Sequence, residues 1–158
     1  MRAAWAATLL VLVAGCGFHL RGSVSLSPRM SAPYLEVPDR YTPFYGALVA
    51  ALETAGAVQA AGAEVASAVV RVHKDETGRN VLTISARNTP QEYEVFYTVA
   101  YSVVADGKEI LPRQELSLTR VYAYDDTALL AKQHEEGDIR AALARELAAL
   151  VTRRLAAL

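Results

Sequence analysis

Residues 92–105 read Glu92-Tyr93-Glu94-Val95-Phe96-Tyr97-Thr98-Val99-Ala100-Tyr101-Ser102-Val103-Val104-Ala105. Tyr93, Val95, Tyr97, Val99, Tyr101 and Val103 alternate with Glu94, Thr98 and Ser102. A period of two belongs to a strand with one buried face and one polar face. Asp106-Gly107 follows at once, the pair that best supplies the two positive-φ positions of a tight hairpin. Residues 109–124 therefore return as a second long strand, antiparallel to the first. Pro112 lacks a ladder donor, which places it at an edge or a bulge.

Upstream, Val65, Val69, Val70 and Val72 give residues 65–74 the composition of a buried strand. Thr77-Gly78-Arg79-Asn80 reads as a turn. Residues 81–87 resume as strand, with Leu82, Ile84 and Ala86 on one face, until Asn88-Thr89-Pro90 breaks the run. Residues 34–37 form a shorter strand, ended by Pro38-Asp39-Arg40.

Two helices flank these strands. Thr42-Pro43 is a capping hydroxyl followed by proline at the first helical position. Phe44, Leu48, Leu52 and Ala55 then recur at helical spacing until Gly56 stops the run. Near the end, Ile139, Leu143, Leu147, Leu150, Val151, Leu155 and Leu158 form a second stripe. Asp126 and Thr127 are candidate caps. Gly137 weakens the helix by roughly 1 kcal/mol relative to alanine and is a position for a bend. The order predicts an α+β fold: an antiparallel or mixed sheet of four to five strands with two helices packed on one face.

The first 15 residues have a different composition. Arg2 precedes an apolar run at 5–13, and Val13-Ala14-Gly15 leads to Cys16. The run is shorter than the ~20 residues that cross a bilayer and reads as a cleaved leader. Cys16 is the single cysteine, so no internal disulfide is available. Residues 1–15 are thus expected as signal peptide, 16–33 as a serine-rich arm, and 34–158 as one folded domain. Without Arg2 the net charge passes from −1 to about −2, with no basic stripe of the kind a nucleic-acid binder needs.

No catalytic constellation assembles. His19 lies beside Cys16. His73, Asp75 and Glu76 read as solvated charge at a strand end. His134-Glu135-Glu136 fails the metal pattern H-E-x-x-H because position 138 is aspartate. Tyr93, Tyr97 and Tyr101 read first as a core face whose hydroxyls reach its rim and second as a docking surface, and Tyr122 and Tyr124 extend either one. The expectation is a protein with no catalytic residues, no metal and no cofactor.

The residues preceding Cys16 resemble the lipobox of bacterial lipoproteins. Cys16-Gly17-Phe18-His19-Leu20-Arg21-Gly22 resembles the mature start of the LptE family of lipopolysaccharide-assembly lipoproteins. Leu116-Ser117-Leu118-Thr119-Arg120-Val121-Tyr122, Leu129-Leu130-Ala131-Lys132 and Glu135-Glu136 are similar to that family's passage from strand to last helix. Phe18 stands where some relatives have tryptophan. The resemblance implies a diacylglycerol on the Cys16 sulfur, an acyl group on its amine, and residence on the periplasmic side of the outer membrane. It implies a non-enzymatic plug and assembly aid for an LptD-like β-barrel, helping to deliver lipopolysaccharide to the outer leaflet. It also implies that Arg87 and Lys132 contact lipopolysaccharide, because a cation at a loop or helix start can pair with a lipid A phosphate. The other reading is an auxiliary lipoprotein subunit of a different envelope lipid transporter.

Two or more acyl chains anchor a protein stably, at ~0.8 kcal/mol per buried CH₂. Cys16→Ser is expected to abolish lipid attachment and leave the fold intact. Mass spectrometry of the amino terminus and palmitate labelling check this; a label surviving the change would refute the anchor.

Overall fold

The structure is a computed structural model, and it describes residues 25–124, 127 and 129–158. Cys16 and the candidate cap Asp126 lie outside the described residues. A four-stranded sheet has the order β1 (Pro33–Glu36), β2 (Ala68–Ile84), β3 (Pro90–Ala105), β4 (Lys108–Ala123). β1 pairs parallel with β2, and the other two pairs are antiparallel. Helix α1 (Pro43–Thr54) crosses between β1 and β2, and α2 (Leu129–Ala156) follows β4. This is the expected mixed α+β fold, with four strands.

α1 forms where its punctuation dictates. Thr42 has extended backbone and accepts the Tyr45 N–H at 3.1 Å, with Pro43 in the first turn. At the far end Gly56 has φ +90°, the Gly56 N–H reaches the Glu53 carbonyl, and the Ala57 N–H reaches that of Leu52. This is a Schellman closure, which glycine enters without a Cβ penalty. Asp106 and Gly107 both have positive φ at the β3–β4 turn. Pro112 sits on edge strand β4, where the β3–β4 register shifts between Tyr101 and Val103. Phe44, Leu48 and Leu52 of α1 and Leu143, Leu147, Val151 and Leu155 of α2 are fully buried. They meet Val95, Val99 and Val103 of the central strand in one core. α2 runs through Gly137 without interruption. Part of the stretch expected as arm belongs to this body: Met30, in a 3-10 turn at Pro28–Met30, is completely buried.

Residues 77–80 do not turn. β2 passes straight through them, and Gly78 faces Phe96 across the ladder. A Cβ on Gly78 would stand 2.7 Å from the Phe96 ring. Glycine is there to seat an aromatic ring, a use of strand glycine that composition does not separate from a turn. Upstream, His73 is an extra residue: Val72 pairs with Tyr101 and Lys74 with Ala100. The bulge inverts the alternation beyond it. Val70 and Val72 face the helices, and after His73 it is Asp75, Thr77, Arg79 and Val81 that do so, opposite Val99, Tyr97, Val95 and Tyr93.

Asp75 is therefore not solvated charge at a strand end. It accepts from Tyr97 Oη at 2.8 Å and from Thr42 Oγ1 at 2.5 Å. Tyr97 Oη in turn accepts the buried Phe44 N–H at 3.2 Å. Two free N–H groups at the start of α1 are thereby satisfied by a tyrosine and a threonine held on one carboxylate. His73, on the opposite face, hydrogen-bonds Ser102 at 2.8 Å through Nε2.

Burial, then the bond to Asp75, pushes the Tyr97 hydroxyl well above the usual tyrosine pKa of about 10. The folded state keeps this proton after the unfolded chain has lost it. Its contribution is complete below about pH 10 and is lost as pH climbs toward the folded value. Tyr97→Phe is expected to cost about 1–3 kcal/mol at neutral pH, since it leaves part of Asp75 and the Phe44 N–H without a partner. Its stability should also fall less steeply above pH 10. Urea titrations with an unchanged m-value, repeated at alkaline pH, check both.

Candidate functional site

The tyrosine ladder is a core face at one end and a polar cluster at the other. Tyr97 and Tyr101 are 1% and 2% exposed. At the far end Tyr93 stacks on Tyr122 with ring centroids 5.9 Å apart and meets Tyr124 edge-on at 5.1 Å. The Arg79 guanidinium lies 4.5 Å over the Tyr93 ring, an attraction between a cation and the ring's negative face.

Glu136, in the second turn of α2, is the centre of this cluster and is buried. Its Oε2 accepts from Arg79 at 2.6 Å and from the Tyr122 hydroxyl at 2.9 Å, and its Oε1 accepts from Arg140. Burial, then the Glu136 bond, raises the Tyr122 hydroxyl above its ordinary pKa, so it stays a donor. The cluster ties β2, β3 and β4 to the first turns of α2. It has the form of a clamp, one carboxylate with both oxygens engaged by donors from β2, β4 and α2. No metal-binding group of three His, Cys, Asp or Glu occurs among the described residues.

Beyond the clamp the sheet ends in the β2–β3 hairpin. Ser85 Oγ accepts the Arg87 and Thr89 N–H groups, both at 3.2 Å, and Asn88 turns the chain with φ 60°. Arg87 stands exposed at the tip. Its guanidinium has no ion-pair or hydrogen-bond partner among the described residues. Val81, Leu82 and Ile84 leading to it are 51%, 50% and 59% exposed. Apolar side chains half in water beside an unpaired cation make a surface complementary to an anionic amphiphile. Lys132 lies at the same end, in the first turns of the helix that follows Ala123, whose partner across the ladder is Glu92. It is not a bare surface lysine, for its Nζ contacts Glu135 at 2.8 Å. On an exposed helix surface such an i,i+3 pair is worth only about 0.2–0.5 kcal/mol.

The profile of the LptE family, described as lipopolysaccharide-assembly, matches residues 32–155. The chain belongs to the LptE family. The LPS-assembly lipoprotein LptE of Pectobacterium atrosepticum is 27% identical over 151 residues, covering 92% of this chain and 79% of that one. The LptE-like fold recurs in lipoprotein B of Nitrosomonas europaea, at 24% identity and TM-score 0.74 over 89% of this chain and 91% of that one. It recurs again in rare lipoprotein B of Shewanella oneidensis, at 22% identity and TM-score 0.70 over 80% and 94%. Those two likenesses speak for the fold.

Reasoning from spacing missed Arg79, read as a turn residue, and Glu136, weighed only as part of a metal pattern. One signal was present: Glu136 precedes Arg140 by four and Leu143 by seven residues, so it stands on the helix's apolar face. Glu136→Ala is expected to destabilise the protein by about 1–3 kcal/mol, leaving the Tyr122 hydroxyl and two guanidiniums without their acceptor. Amide exchange should rise in the first turns of α2 before its C-terminal half, and uniform protection along α2 would count against the clamp.

Proposed function

We propose that this LptE-family chain is a lipid-anchored protein of the outer membrane, held through acylated Cys16 on the periplasmic side. In this reading it plugs and assists assembly of an LptD-like β-barrel and helps deliver lipopolysaccharide to the outer leaflet. Residues 1–15 are removed, 16 onward tether the body, and no catalytic step is involved. The observation that carries the lipid-handling part is the hairpin tip, where unpaired Arg87 projects past exposed Val81, Leu82 and Ile84. Lipopolysaccharide presents phosphates beside acyl chains, and this surface offers a cation beside apolar side chains. Arg87 supplies a planar fork for a phosphate, and Lys132 supplies a second positive charge on release from Glu135.

Support for the plug comes from the family and from the division of the sheet's faces. One face is closed by helices. The other carries hydroxyls such as exposed Ser117, 2.8 Å from buried Thr98, which suit a wet protein lumen better than lipid.

Charge reversal at Arg87 and Lys132 together is expected to weaken lipopolysaccharide binding at least tenfold at low salt. The Arg87 change should cost within about 0.5 kcal/mol of stability, because that side chain is exposed. The Lys132 change, at a largely buried side chain paired to Glu135, should cost more, so binding is compared at a temperature where both variants are folded. Binding that persists unchanged would make both residues merely solvated cations. Purification of the native chain from detergent-solubilised envelopes should recover a large β-barrel partner, whereas an inner-membrane partner would favour the other transporter reading.

A further inference from the structure

A second lipid-sized feature lies on the opposite side of the helix layer from the sheet. α1 and α2 leave between them an apolar groove of about 420 Å³. Its walls are mainly alanine, including Ala47 and Ala51 of α1 and Ala149 of α2. Small residues alone would mean only close helix approach. Two further features point to a ligand.

Thr152 lines the groove and is only 4% exposed, yet its Oγ1 has no hydrogen-bond partner. A mid-helix threonine commonly turns its hydroxyl back onto a carbonyl three or four residues earlier. Thr54 on the facing helix does this, bonding the Ala50 carbonyl at 2.7 Å. Thr152 does not. A buried hydroxyl without a partner is costly, and it is a position where an incoming oxygen would be held. The groove is also rimmed by Arg145 and Arg153, both exposed and neither with an ion-pair partner among the described residues. Proximity to the helix C-terminus accounts for Arg153; it does not account for Arg145, two turns earlier.

We propose that this groove binds one acyl chain of a phosphorylated lipid supplied in trans. The chain lies along the alanines, the anionic head meets the rim arginines, and Thr152 donates to a head oxygen. This deepens the lipid-handling reading by adding a site about 25 Å along α2 from Lys132 at 1.5 Å per residue. The match is one of charge and shape: a partner helix would find two unpaired cations and an orphaned hydroxyl at its seam, whereas a phospho-acyl head satisfies all three.

Native mass spectrometry of the full lipidated chain, extracted in dodecyl maltoside and titrated with dodecyl phosphate, tests this. The detergent supplies a competitor with the same chain and a neutral head. One saturable dodecyl phosphate adduct per chain is expected. Arg145→Gln with Arg153→Gln should reduce it at least tenfold, and Ala149→Phe, at an exposed position that spares the core, should remove it. Thr152→Val should weaken the adduct severalfold while melting no lower than the parent. No saturable adduct, or an adduct unchanged in the double arginine variant, overturns the proposal. So does an adduct seen only after Cys16→Ser, which would give the groove to the protein's own acyl chains. The probe has no saccharide, so failure here and failure of the hairpin variants to lose lipopolysaccharide binding are read separately.

Discussion

The extra residue at His73 is the constraint from which the rest of the arrangement follows. A sheet with one covered face needs every second residue to be apolar, and a strict alternation through β2 would aim Lys74 and Glu76 into the helix layer. The bulge ends the apolar stretch at Val72 and restarts the alternation one residue late. Asp75 then arrives where α1 begins, and Arg79 arrives where α2 begins. Each helix start is thereby tied to the sheet by a β2 charge and a tyrosine: Asp75 with Tyr97, and Arg79 with Tyr122. The two ties have opposite polarity. At α1 a carboxylate gathers hydroxyl donors that relay to backbone N–H groups. At α2 a helix carboxylate gathers two guanidiniums and a phenol.

Much of this architecture is legible locally. Period-two alternation in 92–105, Asp106-Gly107, Thr42-Pro43 and Gly56 each specify their own geometry with nearest neighbours, and each appears where the sequence places it. The bulge is different. Nothing in Val72-His73-Lys74 marks it, because the register is chosen by strand β3 and by the helix that Asp75 must meet, both far away in the chain. Gly78-Arg79-Asn80 has the chemistry of a turn and is overruled for the same reason, by a ring that needs a glycine opposite it. The candidate site divides in the same way. Arg87 and Lys132 attract attention through likeness to a family, and spacing alone leaves them as ordinary surface cations. Glu136 and Arg79 are legible only as partners, and a partnership across 57 residues leaves no periodic trace.

Polar groups in this domain fall into those satisfied internally and those left over, and the division bears on function. Asp75 and Glu136 are fully engaged, and removing either would release several donors at once. Groups so committed hold elements together. Among the charges left over are the cations Arg87 at the hairpin and Arg145 and Arg153 at the helix groove, with Lys132 held by an i,i+3 pair. Arg87 stands beside exposed Val81, Leu82 and Ile84, and Arg145 and Arg153 stand beside the alanines of the groove. In the proposed reading that combination suits molecules with negative heads and greasy bodies.

Two such places on opposite sides of the helix layer also separate two demands. A protein that plugs a barrel must keep one surface against its host, and a protein that handles lipid must leave an apolar surface unoccupied. With only one amphiphilic surface, every gain in host contact would be a loss in ligand contact. The clamp around Glu136 ties β2 to α2 on the approach to the hairpin tip. The alanine groove lies along α1 and the C-terminal half of α2, which the core side chains Leu147, Val151 and Leu155 hold independently of that clamp. In the proposed reading, this distance between the two places would let both be occupied at the same time.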